Sequence, residues 1–84
     1  MSYDVTVREH RELMKLTSEQ LGAFVRTTRK HLGVTQKNLA MTSGTGLRFI
    51  IDLERGKPTC QIGKALDVVR TLGIQIELLP PCES

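Results

Sequence analysis

The sequence predicts a mainly α fold: a compact helical bundle in which two short helices flank a tight turn, plus one C-terminal β-strand paired across a dimer. Three observations carry this expectation. Apolar residues recur at helical spacing in stretches that end at Gly33, Gly44 and Gly73. From Ile74 the spacing changes to strict alternation, which stops at Pro80 and Pro81. The chain has 84 residues, three aromatic side chains (Tyr3, Phe24, Phe49) and no Trp, so its core is aliphatic and of the size that one small domain builds.

The first long helix begins at Thr17, because T-S-E-Q sets a capping hydroxyl three residues ahead of Gln20. Leu21, Phe24, Val25, Thr28 and Leu32 then form one stripe of helical period, with Arg26, Arg29 and Lys30 on or beside the other face and Gly33 as the stop. After Gly33 and Val34, Thr35 caps a helix of about two turns with Leu39 and Ala40 facing inward. Ser43 and Gly44 break it, and Thr45 caps a third helix from about Gly46 to Glu54, with Ile50 and Leu53 inward. Two short helices about a glycine turn make a helix-turn-helix unit. Residues 55–59, R-G-K-P-T, read as a loop with Thr59 as a further cap. In the fourth helix Ile62, Ala65, Leu66, Val69 and Leu72 share a face that Gly73 closes.

In the alternating segment 74–79, Ile74, Ile76 and Leu78 lie on one side and Gln75, Glu77 and Leu79 on the other. A lone strand leaves its ladder groups unpaired. Two partners are available: the short alternation of Tyr3, Val5 and Val7, and the same strand of a second copy across a two-fold axis. The second makes a homodimer. The expected organisation is an N-terminal arm over 1–16, a DNA-binding helix-turn-helix domain over 17–73, a dimerisation strand over 74–79 and a flexible tail over 80–84. Residues 8–16 fit either a short helix or an arm.

Charge is concentrated in the middle of the chain. Residues 26–64 carry eight Lys and Arg against Asp52 and Glu54, a net +6, whereas residues 1–25 have a net charge of −1 and residues 65–84 of −2. A basic segment between acidic ends suits a phosphate-facing surface. Other chemistry is thin. No apolar run approaches the ~20 residues that span a bilayer, and no apolar stretch at the N-terminus resembles a signal peptide, so a cytoplasmic protein away from the membrane is expected. Cys60 and Cys82 lack metal-ligand or redox spacing, and His10 and His31 are far apart and read as surface residues. No nucleophile, base and orienting acid converge, and no glycine-rich phosphate loop follows a strand. The expectation is a non-enzyme without metal or cofactor.

T-Q-K-N-L-A followed by S-G-T-G-L-R-F-I-I-D-L-E-R-G-K resembles the Cro/C1-type (Xre) helix-turn-helix family over roughly residues 18–72. The matching positions are Gln36, Leu39, Ala40, Gly44, Ile50, Leu53, Glu54 and Gly56. The resemblance implies a lambda-repressor-like bundle. More narrowly, R-F-I-I-D-L-E-R-G-K-P-T, then a helix and I-Q-I-E-L, is similar to HipB-type antitoxins. That implies a dimer joined through C-terminal strands, which binds double-stranded operator DNA and restrains a HipA-like kinase toxin. Two positions depart from the family pattern: Ser43 replaces an apolar residue before the turn glycine, and Gly46 and Leu47 stand where polar base-readers are common.

In such a unit the third helix reads the major groove. The base-reading candidates are Gly46, Leu47, Arg48, Ile51 and Asp52. Arg48 suits a guanine and Leu47 a thymine methyl. Asp52 has two roles open to it, acceptor from cytosine and i,i+4 partner of Arg48, and the spacing favours the second. Ile51 is open between a DNA-facing and a core position. Gln36, Lys37, Arg55 and Lys57 are the phosphate-binding candidates, by position beside the motif and, for the last three, by charge. The resemblance also assigns Arg29 and Glu54 to a partly buried structural ion pair. Together these readings point to a transcriptional repressor and antitoxin that regulates its own promoter. A stand-alone phage-type or metabolic repressor and a protein-binding module without DNA readout are the alternatives.

Overall fold

The computed structural model describes residues 16–78 and 80, and these fold into four helices: α1 (Ser18–His31), α2 (Gln36–Ser43), α3 (Leu47–Glu54) and α4 (Ile62–Thr71). The expected arm falls, apart from Leu16, outside the described residues, as do Leu79 and all of the tail except Pro80. Both capping hydroxyls at the first two helices are in place. Thr17 Oγ1 accepts from the Gln20 amide at 3.0 Å, and Thr35 Oγ1 accepts from the Asn38 amide at 3.0 Å. Each satisfies one of the amides that a helix start leaves without an intrahelical partner.

α3 packs on both α1 and α2, and α2 packs in turn on α4. The four largest fully buried side chains are Val25, Leu39, Ile50 and Val68, one from each helix. Burying each contributes about 1.5–3 kcal/mol. Ala40, Leu53, Ala65, Val69 and Leu72 complete the centre, and Leu21, Val34, Phe49, Cys60 and Ile74 pack against it.

Two faces differ from the sequence expectation. On α1 the buried residues are Gly22, Val25 and Arg29, whereas Phe24 and Leu32 are half-exposed. The helix is turned so that its glycine meets α3: a Cβ on Gly22 would lie 2.2 Å from the Leu53 carbonyl oxygen. Close approach of the two backbones, rather than apolar area, selects this face. On α4 the buried arc runs through Ala65, Val68, Val69 and Leu72, and Ile62 is 74% exposed. The buried face is thus rotated from the expected stripe, and Val68 takes the central place.

Helix starts differ as well. Thr45 does not cap α3; it is buried, and its hydroxyl lies 2.9 Å from Ser43 Oγ. Ser43 Oγ also donates to the Leu39 carbonyl at 2.7 Å. Ser43 and the buried Thr45 thus form a hydroxyl pair at the turn. The N-cap of α3 is Gly46, at φ +93°, with no side-chain cap. α4 starts behind Gln61 rather than at Thr59, again without a side-chain cap.

Residues 74–78 form no strand in the single chain. The Ile74 amide donates to the Val69 carbonyl at 3.0 Å, closing α4, and Ile76 and Leu78 are exposed. A ladder over this segment requires a partner from outside the described residues. Among the described residues no helix is long and apolar enough to cross a membrane.

Candidate nucleic-acid interface

The turn between α2 and α3 is built by backbone geometry. The helix ends at Gly44, at φ +72°, whose amide donates to the Ala40 carbonyl at 3.0 Å. The Thr45 amide reaches the same carbonyl at 3.2 Å, so two successive turn amides close the end of α2 on one acceptor. Gly46 follows in a backbone region closed to L side chains, and nothing lies within 4 Å of the Cβ it lacks. Its neighbour α3 therefore begins with an open, bare backbone.

One carboxylate fixes α3 from behind. Arg29 donates from Nε to Glu54 Oε2 at 2.6 Å and from Nη2 to Glu54 Oε1 at 3.1 Å, a bidentate fork. Arg29 Nη1 donates to the Val34 carbonyl at 2.8 Å. Gln36 Nε2 adds a third bond to Glu54, at 3.0 Å to Oε1. The side chains of Arg29 and Glu54 are only 9% and 3% exposed, so the charge is withdrawn from solvent. In this way α1, α2 and the last residue of α3 meet at a single group. A buried carboxylate so fully bonded is costly to leave unpaired.

The front of α3 is open. Leu47 and Arg48 occupy its first turn and are exposed, Arg48 at 75%. Ile51 is half-buried, between the two positions open to it from the sequence. Asp52 lies one turn beyond Arg48, with its Oδ1 3.5 Å from Arg48 Nε. Its other oxygen, Oδ2, lies 3.6 Å from Lys57 Nζ. The Lys57 amide donates to the Asp52 carbonyl at 3.1 Å, which holds the loop against the end of α3.

The structure thus brings Arg48, Asp52 and Lys57 into one exposed ionic cluster. It brings Gln36 to Glu54, at the other side of the same helix end. Lys37 and Arg55 are exposed, at the first turn of α2 and directly after α3. Lys64, part of the basic middle segment, has its Nζ 5.9 Å from the Phe49 ring centroid and serves packing by cation–π contact. Ile74, Ile76 and Leu78 stand apart from this region in sequence and make no ladder in the single chain. The Gln36–Glu54 and Lys57–Asp52 contacts were missed by sequence reasoning. The first joins residues 18 apart, which no local period links; the second joins a helix to a loop.

Among the described residues no group of three or more His, Cys, Asp or Glu is placed to hold a metal ion. No family model matches the chain. The chain is 54% identical over 67 residues to the uncharacterized HTH-type transcriptional regulator y4mF of Sinorhizobium fredii (strain NBRC 101917 / NGR234), a match covering 80% of this chain and 88% of that protein.

Proposed function

The chain belongs to the helix-turn-helix transcriptional regulators, and we propose that it is a homodimeric repressor of its own operon and the HipB-like antitoxin of a HipA-like Ser/Thr kinase toxin. One observation carries the DNA reading: Glu54 anchors α3 from behind while Leu47 and Arg48 stand exposed on its first turn. An α-helix fits the major groove and meets base edges with its N-terminal residues. Arg48 pairs with guanine, a contact worth about 1–3 kcal/mol of discrimination. Leu47 covers a thymine methyl, bare Gly46 lets the backbone come close, Ile51 faces the next base pair or its sugar, and Asp52 stands behind Arg48 as its i,i+4 partner.

Gln36, Lys37, Arg55 and Lys57 set the register through phosphates. The Gln36 amide group has two hydrogens, so one remains for a phosphate oxygen while the other stays on Glu54. The dimer is supported by the alternation of Ile74, Ile76 and Leu78, and by the exposure of Ile76 and Leu78 in the single chain. Pairing these segments across a two-fold axis satisfies their backbone groups and presents two α3 helices to a palindromic operator. The antitoxin role is supported by the resemblance of the R-F-I-I-D-L-E-R-G-K-P-T run. The role is cytoplasmic and requires neither a catalytic step nor a cofactor.

Fluorescence anisotropy with the promoter region upstream of its own gene tests the DNA reading, at about 50 mM salt where phosphate contacts are strong. Retention of that duplex over a scrambled one, with two chains per site by sedimentation, is expected. Indifference to both duplexes refutes it. Co-expression with a neighbouring kinase gene tests the antitoxin role: co-purification supports it, and a kinase that elutes alone leaves a stand-alone repressor.

A further inference from the structure

Asp52 is an unusual residue to find at the centre of a phosphate-facing surface. Its carboxylate is 18% exposed and stands between two cations, Arg48 at 3.5 Å and Lys57 at 3.6 Å. Both distances are beyond ordinary hydrogen-bond length, so the group acts through its charge and does not lock a geometry. With the cation of each pair exposed, Arg48 at 75% and Lys57 at 53%, and no contact of hydrogen-bond length, the pairs contribute little to folding. Packing does not require the carboxylate either, because the mount of α3 is Glu54 on its opposite side. The acid also lowers the electrostatic attraction of this patch for any polyanion. Its worth must therefore lie elsewhere than in stability or raw affinity.

From the geometry we infer that Asp52 is a specificity-determining residue that suppresses binding to non-target DNA. This inference rests on the DNA reading given above. Random-sequence binding comes from neutralised phosphates, each releasing counterions. With Asp52 in place, the cluster of two cations and one anion has a net charge of +1, so one neutralised phosphate's worth of attraction is withheld. On a target site the loss is recovered. Arg48 is approached at Nε, and its two terminal nitrogens remain for guanine O6 and N7. The carboxylate then stabilises an arginine that has left water for the groove floor. A wrong base offers no such compensation, and there the acid only repels. Discrimination thus comes from a penalty on wrong partners as well as a contact to the right one.

The test compares wild type with Asp52→Asn and Asp52→Glu in the full chain, by anisotropy on the upstream promoter duplex and on a random duplex across a salt series. Circular dichroism melting of each variant checks the fold. For Asp52→Asn on random duplex, the slope of log affinity against log salt should steepen by about 0.9. Its advantage over wild type there should consequently shrink about 3.5-fold between about 50 and about 200 mM salt. The ratio of promoter to random affinity should fall, and Asp52→Glu, which keeps the charge, should stay near wild type in both. A slope and ratio unchanged in Asp52→Asn overturn the inference. So does an altered preference at one base pair with random binding unchanged, since Asp52 is then a direct base reader. If wild type and variants alike ignore every duplex, the DNA reading itself fails and takes this inference with it.

Discussion

Arg29→Ala is expected to be the most damaging single truncation in the domain. The substitution removes three donated bonds: two to Glu54, at 2.6 and 3.1 Å, and one to the Val34 carbonyl at 2.8 Å. Glu54, 3% exposed, keeps only the neutral Gln36 amide as a partner. Breaking one side of a buried pair costs about 3–5 kcal/mol, most of it the penalty of an uncompensated buried charge. Small domains have about 5–15 kcal/mol in all, and one built from four short helices sits at the low end. At about 4–8 °C per kcal/mol, the loss corresponds to at least about 12 °C in melting temperature. Thermal denaturation followed by circular dichroism measures it. Replacing both partners, Arg29→Met with Glu54→Leu, should recover most of the loss, because no charge is then left buried. If Arg29→Ala melts within a few degrees of wild type, the carboxylate is solvated and the reasoning fails.

Gly22→Ala should destabilise by about 1–3 kcal/mol in urea titration, although alanine is the better helix former, because its Cβ would meet the Leu53 carbonyl oxygen at 2.2 Å; a raised midpoint would contradict the close α1–α3 contact. Thr35→Ala should cost about 1 kcal/mol by freeing the Asn38 amide that it caps at 3.0 Å, measured in the same titration. Arg48→Ala should abolish preference for the promoter duplex and, by removing one cation of the cluster, make the salt slope on random duplex shallower by about 0.9, read by anisotropy. Lys57→Ala should weaken both duplexes alike and reduce the salt slope by about 1, and a loss confined to the promoter would assign Lys57 to base reading instead.

The helices were legible because capping and punctuation are local. Thr17, Thr35 and Gly44 act on residues three or four positions away, and the sequence carries that information in full. The inward faces were harder to read. On α1 the buried positions are a glycine and an arginine beside one valine, and hydrophobic periodicity counts the first two as blank or polar. A glycine inside a helix is itself a sign of close backbone approach, and Gly22 offered that signal. Thr45 misled because its hydroxyl had a competitor: Ser43 stands within 2.9 Å once the turn closes. The alternation of 74–78 describes side chains only, while a strand also needs a partner ladder, which the described residues do not contain. Within the candidate site, the i,i+4 spacing made Arg48–Asp52 readable, whereas the links from Gln36 to Glu54 and from Lys57 to Asp52 depend on how separate elements pack.

The shared carboxylate at the end of α3 separates two jobs that one short helix must do. Its rear sets the angle and depth at which the helix is offered, using Arg29, Gln36 and Glu54. The side chains of its front, positions 47, 48, 51 and 52, make none of the hydrogen bonds to that carboxylate. On the proposed DNA reading, the front can therefore change to follow a drifting binding sequence without the bracket behind it having to be rebuilt. Retargeting by exchange of those four side chains is the practical form of the same freedom, and changes at position 54 lie outside it.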